Sequence, residues 1–371
     1  MSEDRPRTST RDHNLLREQL TAWLAGQLPS PTITEFVVPA ANGMSSETIL
    51  FSATWTPPTG EAASGRFVLR LPPDPASEPV FQVYDMPRQF NVMRLVARRT
   101  DVAIPATLWL ENDPAPLGAP FFVMERIDGI VPPDLMPYTF GDNWFFDADR
   151  ADQARLQQAS IEALAKIHTI SANDPDASFL VIHAPGDTVL ERHVNDQRSF
   201  YEWVAADGIR SPLIERGFAW LDANWPTDLG DSVVCWGDAR IGNIMYRDFE
   251  PVAVLDWEMA GHGLREIDLG WMIFLHRFFQ DLTEQLGLPG MPDFMRASEV
   301  SAAYEAASGY APRDMHWFLL YAALRHAIVM FRITRRQIMF GEAVMPDNPD
   351  HAFIHHPTLA AMMDGTYWAK L

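Results

Sequence analysis

The chain changes texture once. Between about residues 33 and 127 its apolar residues are β-branched or alternate with polar ones, as in half-buried strands, and after Asp128-Gly129 they recur at helical spacing. A sequence patterned this way builds strands first and helices afterwards, which predicts an α+β fold whose two kinds of element are segregated. Residues 1–11 are polar and read as a disordered tail. Residues 12–128 form the expected front lobe. A first helix carries Leu15, Leu16, Leu20, Trp23 and Leu24, and strands follow over 33–38, 47–55 and 67–71, with Ile49, Phe51, Ala53 and Trp55 sharing one face of the second. A helix over 85–99 turns Phe90, Met93, Val96 and Ala97 inward, and strands over 107–110 and 120–127 complete the lobe. Residues 129–371 read as a mainly helical lobe. Helices are expected over 152–169, 269–281, 297–308 and 316–338, and short apolar strands over 232–235 and 251–255.

Composition narrows the partners. The 371-residue chain carries a formal charge of −20, which repels nucleic acid and anionic membrane surfaces, and no basic run offsets it. A small-molecule partner is expected, with neither nucleic acid nor membrane. The acidity serves solubility, or suits a pocket for a cationic substrate. The most apolar late stretch, 317–330, is interrupted by Arg325 and His326 and reads as a core helix. Met1-Ser2-Glu3-Asp4-Arg5 lacks the apolar run of a secretion signal, and a single cysteine, Cys235, leaves no internal disulfide or Cys-based zinc site. A cytoplasmic location is the expectation; the oligomeric state is left open.

The chemistry concentrates in Trp236-Gly237-Asp238-Ala239-Arg240-Ile241-Gly242-Asn243 and, after a second apolar strand, Val254-Leu255-Asp256-Trp257-Glu258. An Asp and an Asn five apart in a loop, then an Asp at a strand end, bring three oxygen-bearing side chains together, with the two strands expected to act as a hairpin-like rack. Magnesium takes oxygen ligands and keeps several waters, so one carboxylate, one amide carbonyl and substrate phosphates suffice to bind it. The remaining carboxylate, Asp238, can accept the proton of an attacking hydroxyl. That division of labour is the one kinases use. Other motifs fail. Residues 60–66 have P-loop spacing but precede a strand, and read as a turn. His351, His355 and His356, near the C-terminus and next to Pro357, read as surface or packing residues. Cys235 lies in an apolar strand and should be buried.

These segments resemble the catalytic and metal loops of the aminoglycoside phosphotransferase-like family, and within it the kinase-like domains associated with acyl-CoA dehydrogenases. Residues 43–48 (Gly-Met-Ser-Ser-Glu-Thr) are similar to the family's phosphate loop, 67–70 to its third strand with a basic residue, 117–126 to its fifth strand and hinge, and 164–168 to a helix of its large lobe. The resemblance implies a protein-kinase-like two-lobed fold with a small antiparallel-sheet N-lobe and a larger helical C-lobe. It implies ATP and Mg2+, with Asp238 as base and Asn243 and Asp256 as magnesium ligands. Gly43, Ser45 and Ser46 would cover the nucleotide, Arg70 would hold its α/β-phosphates, and the backbone from Met124 through Glu125 to Ile127 would bind adenine. Three positions depart from the pattern: Trp236 replaces a His, Arg70 a Lys, and Gln89 stands where a Glu usually pairs with that Lys, with Asp85 as a possible substitute. Arg240 has two readings, a substrate or phosphate contact or a brace through Asp268. Glu258 and Asp268 read as structural, Asp268 as the cap of a helix beginning at Leu269. Trp144, Phe145 and Phe146 read as core before pocket. The resemblance offers aminoglycosides, hydroxyacyl-CoA thioesters and choline-like alcohols as acceptors. A nucleotide-binding module without turnover is the alternative, and a two-carboxylate metallohydrolase a weaker third.

Overall fold

A computed structural model describes residues 11–39 and 46–371. Contacts divide the chain into two compact units, Met1–Arg94 with Pro105–Ile127, and Leu95–Ile104 with Asp128–Leu371.

In the smaller unit, helix α1 (His13–Leu24) begins where the Asp12 side chain accepts the N–H groups of Asn14 and Leu15. Strands β1 (Thr32–Val37), β2 (Glu47–Trp55) and β3 (Ala63–Leu71) precede helix α2 (Met86–Arg99), and β4 (Thr107–Glu111) and β5 (Phe121–Glu125) follow it. They form one antiparallel sheet in the order β1-β2-β3-β5-β4. Leu16, Leu20 and Leu24 of α1 pack with Ile49, Phe51 and Ala53 of β2 and with Phe67, Leu69 and Leu71 of β3. The alternation read in β2 is therefore its core face. β3 starts four residues earlier than the apolar pattern shows. Residues 63–66 are polar or small, yet they zip onto β2 as far as Trp55 opposite Ala63. The stretch 60–66 is thus half turn, closed by the Gly60 N–H on the Pro57 carbonyl, and half strand.

In the larger unit, helix α3 (Arg150–Ile167) is capped by Asp149. Two helices follow that the sequence reading does not include, α4 (Val189–Val204), opened by a Thr188–Glu191 capping box, and α5 (Pro212–Ala223), capped by Ser211. Four short strands come next: β6 (Val233–Cys235), β7 (Ile244–Arg247), β8 (Glu250–Val254) and β9 (Gly261–Gly263). The expected rack of 232–235 with 251–255 does not form. β6 pairs with β9, and β8 pairs with the unforeseen β7. Helices α6 (Arg265–Gln285), α7 (Ala297–Ser308), α8 (Met315–Met339) and α9 (His356–Asp364) complete the unit. By composition α8 is long and apolar enough to cross a membrane, but 83% of its most apolar window is buried within the protein; it is the core helix the sequence suggested.

One carboxyl fixes the catalytic segment to this helical frame. Helix α6 begins at Arg265, so Asp268 lies inside its first turn and does not cap it, contrary to the sequence reading. Asp268 is fully buried and accepts the backbone N–H groups of Trp236 at 2.7 Å and Gly237 at 2.9 Å. It also pairs with His168 Nε2 at 3.1 Å, while His168 Nδ1 meets the Tyr304 hydroxyl at 2.7 Å. The residues just before Asp238 are thereby clamped from α3, α6 and α7. Replacing Asp268 with Ala orphans two buried backbone donors and should lower unfolding free energy by about 3 kcal/mol. Urea denaturation measures this; a loss below about 0.5 kcal/mol, typical of an unremarkable surface change, would contradict the clamp.

Candidate active site

The β7–β8 hairpin brings the two proposed metal ligands together. Its two-residue turn, Asp248-Phe249, lies wholly in the left-handed region, at φ 51° and 65°. The register sets Ile244 opposite Val254, and the Leu255 N–H continues the ladder to the Asn243 carbonyl at 2.9 Å. Asn243 and Asp256 therefore sit at the same end of one hairpin. Asp256 leaves the strand at φ 58°, a conformation costly for a non-glycine residue and concentrated at functional sites. Two indoles secure this turn: Trp257 Nε1 donates to the Val254 carbonyl at 3.1 Å and Trp236 Nε1 to the Leu255 carbonyl at 2.8 Å. The Trp that replaces the family's His thus ties the Asp238 segment to the residue before Asp256.

Gly237 has no alternative. Its φ is +93°, and a Cβ there would lie 2.1 Å from the Met259 carbonyl oxygen. The Asp238 carboxylate that follows is half-buried and held by three donors. Trp271 Nε1 reaches Oδ1 at 2.6 Å; Asn243 Nδ2 reaches Oδ2 at 2.6 Å and Arg240 Nε reaches it at 3.3 Å. Asn243 Nδ2 also donates to the Asp238 carbonyl at 3.1 Å. The Asn243 amide nitrogen is committed to Asp238, which leaves its oxygen as the ligating atom of that side chain. One amide oxygen and one carboxylate are a donor set that fits magnesium.

Arg240 does not reach Asp268, as one sequence reading had it. Its guanidinium binds Asp134 and Asp238. Burial pulls its pKa down, but the carboxylates of Asp238, Asp134 and Asp256 outweigh burial and leave it raised, so Arg240 stays charged among three acids. Asp134 was not foreseen: it lies in a loop more than a hundred residues away, with no periodicity to mark it. Beside this pair is a small cavity of about 10 Å³, bordered by Gly242, Met272, Leu275, His276 and Met295, room for about one water-sized group. Burial, helped by the nearby Arg277, lowers the His276 pKa to about 3, so the ring is neutral. Its Nδ1 meets the Tyr138 hydroxyl at 2.8 Å, and burial raises the Tyr138 pKa well above its usual value. Phe145 is in the core, and Trp144 packs on it at 5.6 Å.

In the smaller unit, Gly43 and Ser45 lie outside the described residues. Ser46 is buried. Arg70 stands opposite Thr48 in the sheet and donates to its hydroxyl at 2.6 Å. Gln89 is buried with its amide nitrogen unpartnered, and Asp85 accepts the Arg88 N–H at the start of α2; neither supplies the charged partner that the family's Glu would give. The Glu125 N–H is taken by the Ala106 carbonyl at 2.8 Å. Ile127 is the last residue of the unit.

Two other clusters are structural. His168, Cys235 and Asp268 have ligand atoms within 4.8 Å of one another, but the His and Asp atoms serve the clamp above. The Cys235 thiol donates to the Leu264 carbonyl at 3.3 Å, and burial raises its pKa well above the usual value, so no thiolate is on offer. His355 is buried on the Ala323 carbonyl and neutral, its pKa lowered by burial to about 4; it packs on His326 and Phe278.

A model of the phosphotransferase enzyme family matches residues 38–317. The probable acyl-CoA dehydrogenase IBR3 of Arabidopsis thaliana is 23% identical over 291 residues, covering 74% of this chain and 34% of its own length. Acyl-CoA dehydrogenase family member 10 of Mus musculus is 25% identical over 290 residues, covering 74% and 25%. The chain thus spans about a quarter to a third of the length of these relatives. Among solved structures, a Ralstonia eutropha protein classed as an aminoglycoside phosphotransferase superposes with a TM-score of 0.64 at 19% identity, covering 94% of this chain and 97% of that one. An ethanolamine kinase of Plasmodium vivax gives 0.59 at 13% identity, covering 95% and 87%. The fold is kinase-like, as the resemblance implied. The chain belongs to the phosphotransferase enzyme family.

Proposed function

We propose that the chain transfers the γ-phosphoryl group of ATP to a hydroxyl of a small molecule, with Mg2+. The observation that carries this reading is the single Asp238 carboxylate, aimed by Asn243 and Trp271, beside the hairpin end that carries Asn243 and Asp256. Asp238 accepts the acceptor's proton as its oxygen bonds to phosphorus, the bond to the bridging oxygen breaks, and ADP leaves. Asn243 and Asp256 would hold magnesium, which neutralises charge on the phosphates when bound. Arg240, anchored by Asp134, keeps a positive charge next to Asp238. It offsets part of the repulsion within the cluster of acids before substrate arrives. Because phosphoryl transfer is mostly positioning and electrostatics, these fixed groups supply most of what the protein contributes. In the smaller unit we assign nucleotide contacts to Gly43, Ser45, Ser46, Arg70 and the backbone of Glu125 and Ile127.

For the acceptor we favour a hydroxyacyl thioester over a polycation. The cavity beside Arg240 is too small to hold such a molecule, but the wall it marks carries Met272, Leu275 and Met295, which suit an acyl chain, and a neutral histidine. Relatives that carry an acyl-CoA dehydrogenase name point the same way. The net charge of −20 is then a matter of solubility. The second reading, nucleotide binding without turnover, is favoured by one observation, the unpartnered Gln89 amide. ADP release across a panel of hydroxyacyl-CoA thioesters, amino alcohols and aminoglycosides, with and without magnesium, separates these readings.

Asp238→Ala should lower turnover by about 10²–10⁴-fold while leaving ATP binding measurable by calorimetry; activity near wild type would refute the base. Asp256→Ala should abolish the magnesium dependence of nucleotide affinity, and an unchanged response to magnesium would remove Asp256 from the ligand set.

A further inference from the structure

We propose that Trp271 and Arg325 form a positioning relay that aims the Asp238 carboxylate, an assignment that rests on Asp238 being the base. Trp271 lies on α6 one turn after Asp268, so the helix face that clamps the Trp236-Gly237 backbone also presents this indole to the next residue. Its Nε1 donates to Asp238 Oδ1 at 2.6 Å, while Asn243 and Arg240 take Oδ2. The two oxygens are therefore gripped from different elements, and rotation of the carboxylate is blocked. An indole N–H is a donor with no acceptor. It orients the base without competing for the proton that the base must take.

Arg325, on α8, stands behind the indole. Its guanidinium carbon lies 4.5 Å from the centroid of the Trp271 ring, and Nη2 donates to the Gly237 carbonyl at 3.3 Å. The residue is 2% exposed. Among the described residues no carboxylate forms an ion pair with it, and Nε and Nη1 have no hydrogen-bond partner. A buried cation without an anion beside it is expensive, and stability alone gives no reason to keep it. The aromatic faces of Trp271 and, at 5.8 Å, Tyr321 recover part of that cost through cation–π attraction. A cation over the indole face also draws density from the ring and makes the N–H a stronger donor. The charge of Arg325 thus reaches Asp238 through the indole, and its remaining hydrogen bond fixes the peptide just before the base. His326, also against the Trp271 ring, is held neutral by burial and adds no second charge there.

The test pairs Trp271→Phe and Arg325→Met with Asp238→Asn, using magnesium-ATP alone as probe and ADP release to water as readout. Trp271→Phe keeps an aromatic ring and deletes the donor. It should lower kcat about 10- to 100-fold, the worth of a hydrogen bond to a charged group, and leave KM for ATP within about twofold. In the Asp238→Asn background the same change should cost less than about twofold, because the relay acts through that carboxylate. Arg325→Lys should retain more activity than Arg325→Met. Equal losses from Trp271→Phe in both backgrounds, or a loss confined to KM, would show a merely structural indole and overturn the proposal. Asp238→Asn turning over like wild type would instead overturn the base assignment, and the relay with it. A second readout does not need turnover: the indole N–H resonance of 15N-Trp-labelled protein that disappears in Trp271→Phe. It should shift upfield in both Asp238→Ala and Arg325→Met, and a resonance unmoved in either variant contradicts the relay.

Discussion

Everything at the candidate site depends on one buried carboxyl accepting two backbone N–H groups. Asp268 fixes the Trp236-Gly237 peptides to the first turn of α6, and the geometry follows from there. Gly237 can then take the backbone angle that turns Asp238 outward, and the Trp236 indole falls on the Leu255 carbonyl. The β7–β8 hairpin and the Asp238 segment are thereby tied together. No single hydrogen bond in this set is strong in net terms. What the buried carboxyl provides is the absence of alternatives, since two orphaned donors in a dry interior cost more than any rearrangement returns.

The same frame accounts for the unusual electrostatics. Asp134, Asp238 and Asp256 are concentrated around one guanidinium, Arg240, and a second guanidinium, Arg325, stands behind the Trp271 ring. A protein with a net charge of −20 spends these cations next to its candidate base. Arg240 offsets part of the repulsion among the acids, and the negative charge that remains suits a divalent cation. Neutral His276 lies on the adjacent wall with Met272, Leu275 and Met295.

Much of this was legible in the sequence, for identifiable reasons. The strands of the smaller unit follow from the alternation in β2, and α3, α7 and α8 from apolar spacing. Asp238, Asn243 and Asp256 stand out because loop chemistry between apolar strands is hard to produce otherwise. The pairing of those strands was misread because β7 is hidden: its turn, Asp248-Phe249, adopts left-handed angles without the glycine that usually signals them. Helix α4 is masked because polar residues such as His193 occupy buried positions, although Thr188–Glu191 is a readable capping box, whereas α5 was readable from Leu213, Ile214, Phe218 and Leu221 at helical spacing. Trp271 escaped notice because its partner is 33 residues away. Its spacing from Asp268 was the available clue, since residues three apart share a helix face. Arg325 was read only as an interruption of an apolar stretch; which ring it covers depends on how α6 packs on α8, and no local pattern encodes that.

The central claim is that Asn243 and Asp256 act together on one divalent ion beside the base. The most direct measurement is a crystal structure with a non-hydrolysable ATP analogue and Mn2+ in place of magnesium, its position fixed by anomalous scattering. The account predicts a manganese peak at ligand distance from Asn243 Oδ1 and an Asp256 carboxylate oxygen, with the terminal phosphate facing Asp238. A peak bound elsewhere, with either side chain outside the coordination sphere, would contradict it.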